Sequence, residues 1–415
     1  TADTYNNDVT VVNTGASSVR LAYIGNTTFG GKIFVTNSST GTVPFCEIAN
    51  STLTVADSVL LSNTSSGSIT FCTAANTSGA FGGNIVLNNT ANGSLSFSSN
   101  GTSSTSLATG KSISIGASGF TGGSLLLPRF TQSGTAATNL TLTGAASLTV
   151  GPNSAFGGKV RFVVPQVLLN GATFSDSAYI EKNGATANVS NGGNKFMGIT
   201  SIINSSAAAL TLGNVNADSF AMKLNVTNSN SAIIYLAHNH TNQTSYFGDS
   251  VIVTNSSVAA AGSPGVRFGE SNNINAFFAG AVIANNSSTG ATNLIRFQNG
   301  TGSFAFNGRV HLNNTCTGIS SGIYMNHNGL AQHNQNIYVS AIGGLGIFFG
   351  NVNGTYSIAS NRSIQLGSGG FSIGTLQLNN LTQIDNRAPQ AFTLTGLSLI
   401  HISEPTRLRR ISYAV

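Results

Sequence analysis

The chain has 415 residues, of which 7% are charged and 40% hydrophobic, with 49 Gly, 3 Cys, no Trp and a formal net charge of +6. That much apolar material excludes a disordered chain, and three cysteines, Cys46, Cys72 and Cys316, exclude both a disulfide framework and a paired-cysteine zinc site. No stretch approaches the roughly 18 apolar residues of a membrane helix, so membrane insertion is not expected; Thr1 is neither an initiator Met nor part of a signal peptide, so a cut N-terminus is.

Strand signals begin at Val9, Val11 and Asn13 and become regular from Phe29. Residues 29–54, 55–80 and 81–106 align without a gap. Apolar positions fall together as Ile33, Val59 and Ile85 and as Phe45, Phe71 and Phe97. Turn positions fall together as Asn37, Asn63 and Asn89 and as Gly41, Gly67 and Gly93. Within a unit the apolar residues alternate, as in GKIFVTN and TVPF, which predicts short strands separated by an Asn-containing turn and rules out helix. The pattern returns with slack at Ile202 and Asn204, Val226 and Asn228, Val251 and Asn255, Val282 and Asn286, and Val310 and Asn314. Phe196, Phe220, Phe247, Phe278 and Phe304 open several of these units. A second order of repetition relates GKSISIGASGFTGGSLLLPRFTQ at 110–132 to NRSIQLGSGGFSIGTLQLNNLTQ at 361–383, and more broadly 81–144 to 332–396.

From Leu397 the texture changes. LSLIHISEPTR at 397–407 resembles the in-frame translation of a sequencing-library adapter and ISYAV at 411–415 the primer that follows it, so 397–415 is expected to be a non-native tail on a solenoid fragment spanning 1–396. Without its three Arg and one Glu, the charge falls from 17 basic and 11 acidic residues to 14 and 10, a net of +4. That is too little to point to nucleic acid.

A unit this short cannot bury its own apolar face, but stacked coils can. Equivalent strands about 4.8 Å apart pair their backbones, and the inward side chains form ladders. The expected fold is therefore all-β, a right-handed parallel β-helix with coils of 24–27 residues, the hand following from the crossover rule. The strand-end Asn residues are expected to bond from coil to coil while adopting the left-handed turn conformation. That role accounts for their many Asn-x-Ser/Thr contexts without glycosylation. The segments FGGKIFVTNSS, FGGNIVLNNT and FGDSVIVTNSS at 29–39, 81–90 and 247–257 resemble the tandem units of giant repetitive outer-surface proteins of Gram-negative bacteria, adhesin-like or autotransporter-passenger-like and of the Bacteroidota type. The resemblance implies export to the cell surface, a stalk or adhesive role, and surface glycans or other cells as partners.

The ten acidic residues outside the tail are dispersed, and only Asp218 and Asp249 fall loosely within one coil spacing, so catalysis of the polysaccharide-lyase kind is not expected. His238 and His240 could place two imidazoles on one strand face but lack further ligands; no metal or other cofactor is expected. Gly343, Gly344 and Gly346 lack the Lys and helix of a phosphate loop. An outward row of Ser94, Ser96 and Ser98, with Ser68 and Thr70 one coil below, is the signal for the alternative of an ice- or glycan-binding solenoid. Insertions at 258–277 and 315–335 are the expected places for binding residues. Cys46 and Cys72 should be ladder neighbours with free thiols, because in-register parallel neighbours seldom meet disulfide geometry.

Overall fold

A computed structural model describes residues 2–23, 25–258, 264–350, 353–383 and 400–401. They are all-β: parallel strands stacked as β-solenoid coils, about 14 turns in all, forming two compact units, Thr1–Ala208 and Ala209–Val415.

In the first unit each regular coil supplies three strands. One coil consists of Asn26–Phe29, Ile33–Asn37 and Val43–Phe45, and the next of Thr52–Val55, Val59–Asn63 and Ile69–Phe71. Ile33, Val59 and Ile85 are successive register partners, as are Phe45, Phe71 and Phe97. The phenyl rings stack from coil to coil, at 4.7 Å between Phe45 and Phe71 and 5.1 Å between Phe71 and Phe97. Across the interior, Phe71 meets Phe81 edge to face at 5.4 Å. All six ladder residues are buried, each worth about 1.5–3 kcal/mol of transfer free energy. Stacked and edge-to-face rings add attraction beyond their area.

Asn37, Asn63 and Asn89 are also register partners and fully buried. Each coil turns on this residue. Asn37 donates its side-chain amide to Gly41 O at 3.0 Å and Asn89 to Gly93 O at 2.7 Å. Between coils Asn13 donates to Asn37 at 3.2 Å and Asn63 to Asn89 at 3.0 Å. The glycine four residues on is required because the turns nest: a Cβ at Gly67 would lie 2.0 Å from Gly41 O, and at Gly93 1.9 Å from Gly67 O. The left-handed conformation expected at these asparagines lies elsewhere. It falls at Ala22, Cys46, Cys72 and Ser98, the corner after the third strand, and at Asn50 and Asn76 in the exposed turn. The ladder asparagines end strands and stay extended, which is what aims their amides along the stack.

The second unit repeats these devices. Val226, Val253, Ala284 and Leu312 form an inward file. Asn228, Asn255, Asn286 and Asn314 run amide to amide at 3.1, 3.0 and 3.1 Å. Phe247, Phe278, Phe306 and His333 stack at 4.6, 4.7 and 4.7 Å.

Coil length varies more than the expected 24–27 residues. Val160 pairs with Ala178 because Val160–Val164 runs through Pro165 almost directly into Gln166–Leu169, without the Asn turn. Val251 pairs with Val282 because the connection before Gly265–Phe268 is longer. The two stretches of the second-order repeat can be set side by side strand for strand as far as residue 383; residues 384–396 lie outside the described residues. Ser104–Leu107, Ile113–Phe120, Ser124–Leu127 and Phe130–Gln132 correspond to Thr355–Ile358, Ile364–Leu378 and Leu381–Gln383, the two middle strands of the first copy being one strand in the second. Most of 397–415 lies outside the described residues. Ile400 and His401 of that stretch pair in parallel with Leu376 and Gln377. An open edge of a parallel sheet templates any β-prone segment that reaches it, and IHIS at 400–403 alternates apolar with polar.

Candidate binding face

Most outward positions are Ser, Thr, Asn or Ala. One outward row in the second unit, on the strands that follow each Asn turn, carries Tyr and Arg instead. Ile233–Leu236, Gly265–Phe268, Leu294–Phe297 and Gly322–Met325 pair in parallel, and their register places Tyr235, Arg267, Arg296 and Tyr324 in one file. Alternation dictates this. Ile234, Val266, Ile295 and Ile323 on one side, and Leu236, Phe268, Phe297 and Met325 on the other, point inward and are buried, so the residue between them must point out. Phe348 extends the file, its ring stacked on Tyr324 at 4.7 Å.

Three residues after each member lies a second polar group, which gives a parallel row of His238, Glu270, Asn299 and His327. Each pair is in contact: Tyr235 with His238 edge to face at 4.8 Å, Arg267 Nη1 with Glu270 Oε1 at 3.0 Å, Arg296 Nη1 with Asn299 Oδ1 at 2.7 Å, and Tyr324 with His327 at 6.4 Å. The guanidinium groups also lie over the flanking rings, Arg267 at 5.7 Å from the Tyr235 centroid and Arg296 at 5.5 Å from that of Tyr324. The face is therefore near-symmetric, with an aromatic ring and an imidazole at each end and two guanidinium groups between them. Its members are half-buried. Burial raises the Tyr235 and Tyr324 phenols above their ordinary range and lowers His238 and His327 below theirs, which favours the neutral form of each ring. Burial first, and then the neighbouring Arg267 charge, also weaken the hold of Arg296 on its proton.

The insertions 258–277 and 315–335 do contribute to this face, through Arg267, Glu270, Tyr324 and His327, but from strands and strand ends. The two histidines of the HNH triplet part company. His238 lies on the face, its Nδ1 3.0 Å from Asn214 Oδ1, while His240 is buried with Nε2 2.7 Å from Ser245 Oγ. Among the described residues no group of three His, Cys, Asp or Glu side chains could hold a metal ion. Asp218 and Asp249 are not brought together: Ser219 pairs with Tyr246, and Asp249 binds the Ser250 N–H and hydroxyl. The serine row of the first unit does not form an exposed surface. Ser96 is 4% exposed, between Thr70 and Leu126, and Ser98 is 0% exposed at the corner above Cys72. Cys46, Cys72 and Cys316 carry free, buried thiols.

Sequence reasoning missed the Tyr–Arg–Arg–Tyr row, although a signal was present. IIYLAH, GVRFGE, LIRFQN and GIYMNH share an apolar residue, then Tyr or Arg, then an apolar residue, with His, Glu or Asn two positions later. Comparison with known protein families, with curated proteins and with solved structures finds no match.

Proposed function

We propose that this chain is a structural and adhesive repeat region of a secreted bacterial cell-surface protein, without catalysis, in which the stacked interior supplies stiffness and the aromatic–arginine face supplies contact. The observation that carries the reading is the division of labour within each strand. Inward positions go to ladders of Ile, Val, Phe and Asn, while two guanidinium groups and two phenols of the second unit line one outward file. Scaffold proteins with repeated coils present ligands along such extended files. The test is adhesion: beads coated with the whole chain are applied to bacterial and eukaryotic cells and to cell-wall polysaccharides, with release of new reducing ends followed in parallel. Adhesion without release of reducing ends is expected. Turnover of any of these polymers, or no adhesion to any surface, would refute it.

A further inference from the structure

We propose that the file Tyr235, Arg267, Arg296 and Tyr324 binds an anionic polysaccharide, with a uronate carboxylate seated on Arg296. The inference rests on the adhesive reading and names its ligand class.

Arg267 and Arg296 stand on adjacent coils, about 4.8 Å apart along the stack, yet among the described residues only one carboxylate, Glu270, faces them. Glu270 is taken by Arg267, the two side chains being 11% and 22% exposed. Arg296 has a neutral amide, Asn299, as its hydrogen-bond partner. One unit of positive charge is therefore left uncompensated in a half-buried setting, where water screens it less than at an open surface. An incoming carboxylate would relieve the repulsion between the guanidinium groups, and its planar pair of oxygens matches the planar donor fork of Arg. The cluster is also incompletely satisfied from within. Arg296 Nε, a donor shut off from solvent, has no hydrogen-bond partner, and a buried donor of this kind requires an explanation.

The ends of the file decide the rest of the ligand. Tyr235 with His238 and Tyr324 with His327 combine an apolar ring edge with neutral groups that can both donate and accept, which suits sugar hydroxyls and C–H surfaces. From Tyr235 to Tyr324 the file covers three coil steps, about 14 Å, so it suits a linear chain better than a small anion. A nucleic acid carries a phosphate on every unit and needs several cations in a row. A face with one spare cation between hydroxyl-binding ends favours a ligand of sparse charge and many hydroxyl groups.

The experiment is affinity electrophoresis of the whole chain through gels containing polygalacturonate, dextran sulfate, neutral dextran or oligo-dT, using the wild type, Arg296→Ala, Arg296→Lys and Arg161→Ala. Arg161 lies over Tyr179 at 5.1 Å in the first unit and controls for loss of an arginine–tyrosine contact as such. Expected are retardation by polygalacturonate, a loss of about tenfold or more in apparent affinity for Arg296→Ala, a smaller loss for Arg296→Lys, and no change for Arg161→Ala, with all variants melting alike. Equal retardation of Arg296→Ala, equal retardation by neutral dextran, or stronger retardation by dextran sulfate or oligo-dT would overturn the inference. A chain that adheres to cells without being retarded by polygalacturonate would overturn this inference alone and leave the adhesive reading standing.

Discussion

The strand that follows the Asn turn carries one outward file in each unit, and the two files are filled in opposite ways. In the first unit it reads Pro44, Thr70 and Ser96. In the second it reads Tyr235, Arg267, Arg296 and Tyr324. The inward neighbours hardly differ: Val43, Ile69 and Leu95 against Ile234, Val266 and Ile295, and Phe45, Phe71 and Phe97 against Leu236, Phe268 and Phe297, all buried. The turn is also held alike, Asn37 donating to Gly41 O at 3.0 Å and Asn228 to Ala232 O at 2.9 Å. Fold and chemistry are thus separable along a single strand. Inward residues set the stack, and the outward residue between them is free to vary from serine to arginine without altering the backbone.

Substitutions on the two sides of the strand should break this comparison if it is wrong. The largest effect is expected at Phe71, clamped between Phe45 and Phe97. Phe71→Ala should cost about 3–5 kcal/mol in urea denaturation, whereas Arg296→Ala should stay within about 1 kcal/mol of wild type; similar losses for the two would mean that the outward file is structural. Next comes Asn255, which accepts from Asn228 and donates to Asn286. Asn255→Ala strands buried partners on both sides and should cost about 1–3 kcal/mol, and a neutral result would show that the Asn ladder is incidental.

Two titratable residues sharpen the comparison, because each interrupts an inward ladder. His333 is fully buried on Phe306, and burial lowers its pKa to about 3. The unfolded chain therefore binds a proton that the folded chain refuses, and stability should fall as pH drops from about 6.5 toward 3. His333→Phe should flatten that slope in melts across the acid range, and an unchanged slope would assign it to other groups. The smallest effect is expected at Lys182, which occupies an Asn-ladder position as the register partner of Asn204 and hydrogen-bonds Ser206 Oγ at 2.7 Å. Burial lowers its pKa to about 8. With the folded value below the unfolded one, stability should rise as pH increases from about 8 to about 10.5. Lys182→Asn should abolish the rise; a rise that persists would place its origin elsewhere.

The legible part of the molecule was the part with a constant period. Ile33, Val59 and Ile85 align by counting, so the register of the first coils is legible in the sequence alone. The Tyr–Arg–Arg–Tyr face could not be found by counting, because the coils bearing it are unequal, with Val251 pairing to Val282 but Val282 to Val310. No fixed spacing brings Tyr235, Arg267, Arg296 and Tyr324 together; only the backbone ladder does. The asparagines were legible as a ladder but not in conformation. Their preference for left-handed turns is a single-residue tendency, and here it yields to the extended geometry that lets amides bond along the stack.

The central claim is that 26 residues make one interchangeable coil in the regular region, the separation of Asn63 and Asn89. Removing residues 55–80 joins Thr54 to Phe81 and should return Phe81 to the place of Val55 on Phe29, and Asn89 to that of Asn63 on Asn37. Removing only 55–67 takes out half a coil and should set inward residues against outward ones from that point on. The direct measurement is thermal unfolding of both deletion variants followed by far-ultraviolet circular dichroism. The whole-coil deletion is expected to keep the β-sheet spectrum and a cooperative melt close to wild type, and the half-coil deletion to lose both; two deletions tolerated alike, or destructive alike, would contradict the stacked-coil account.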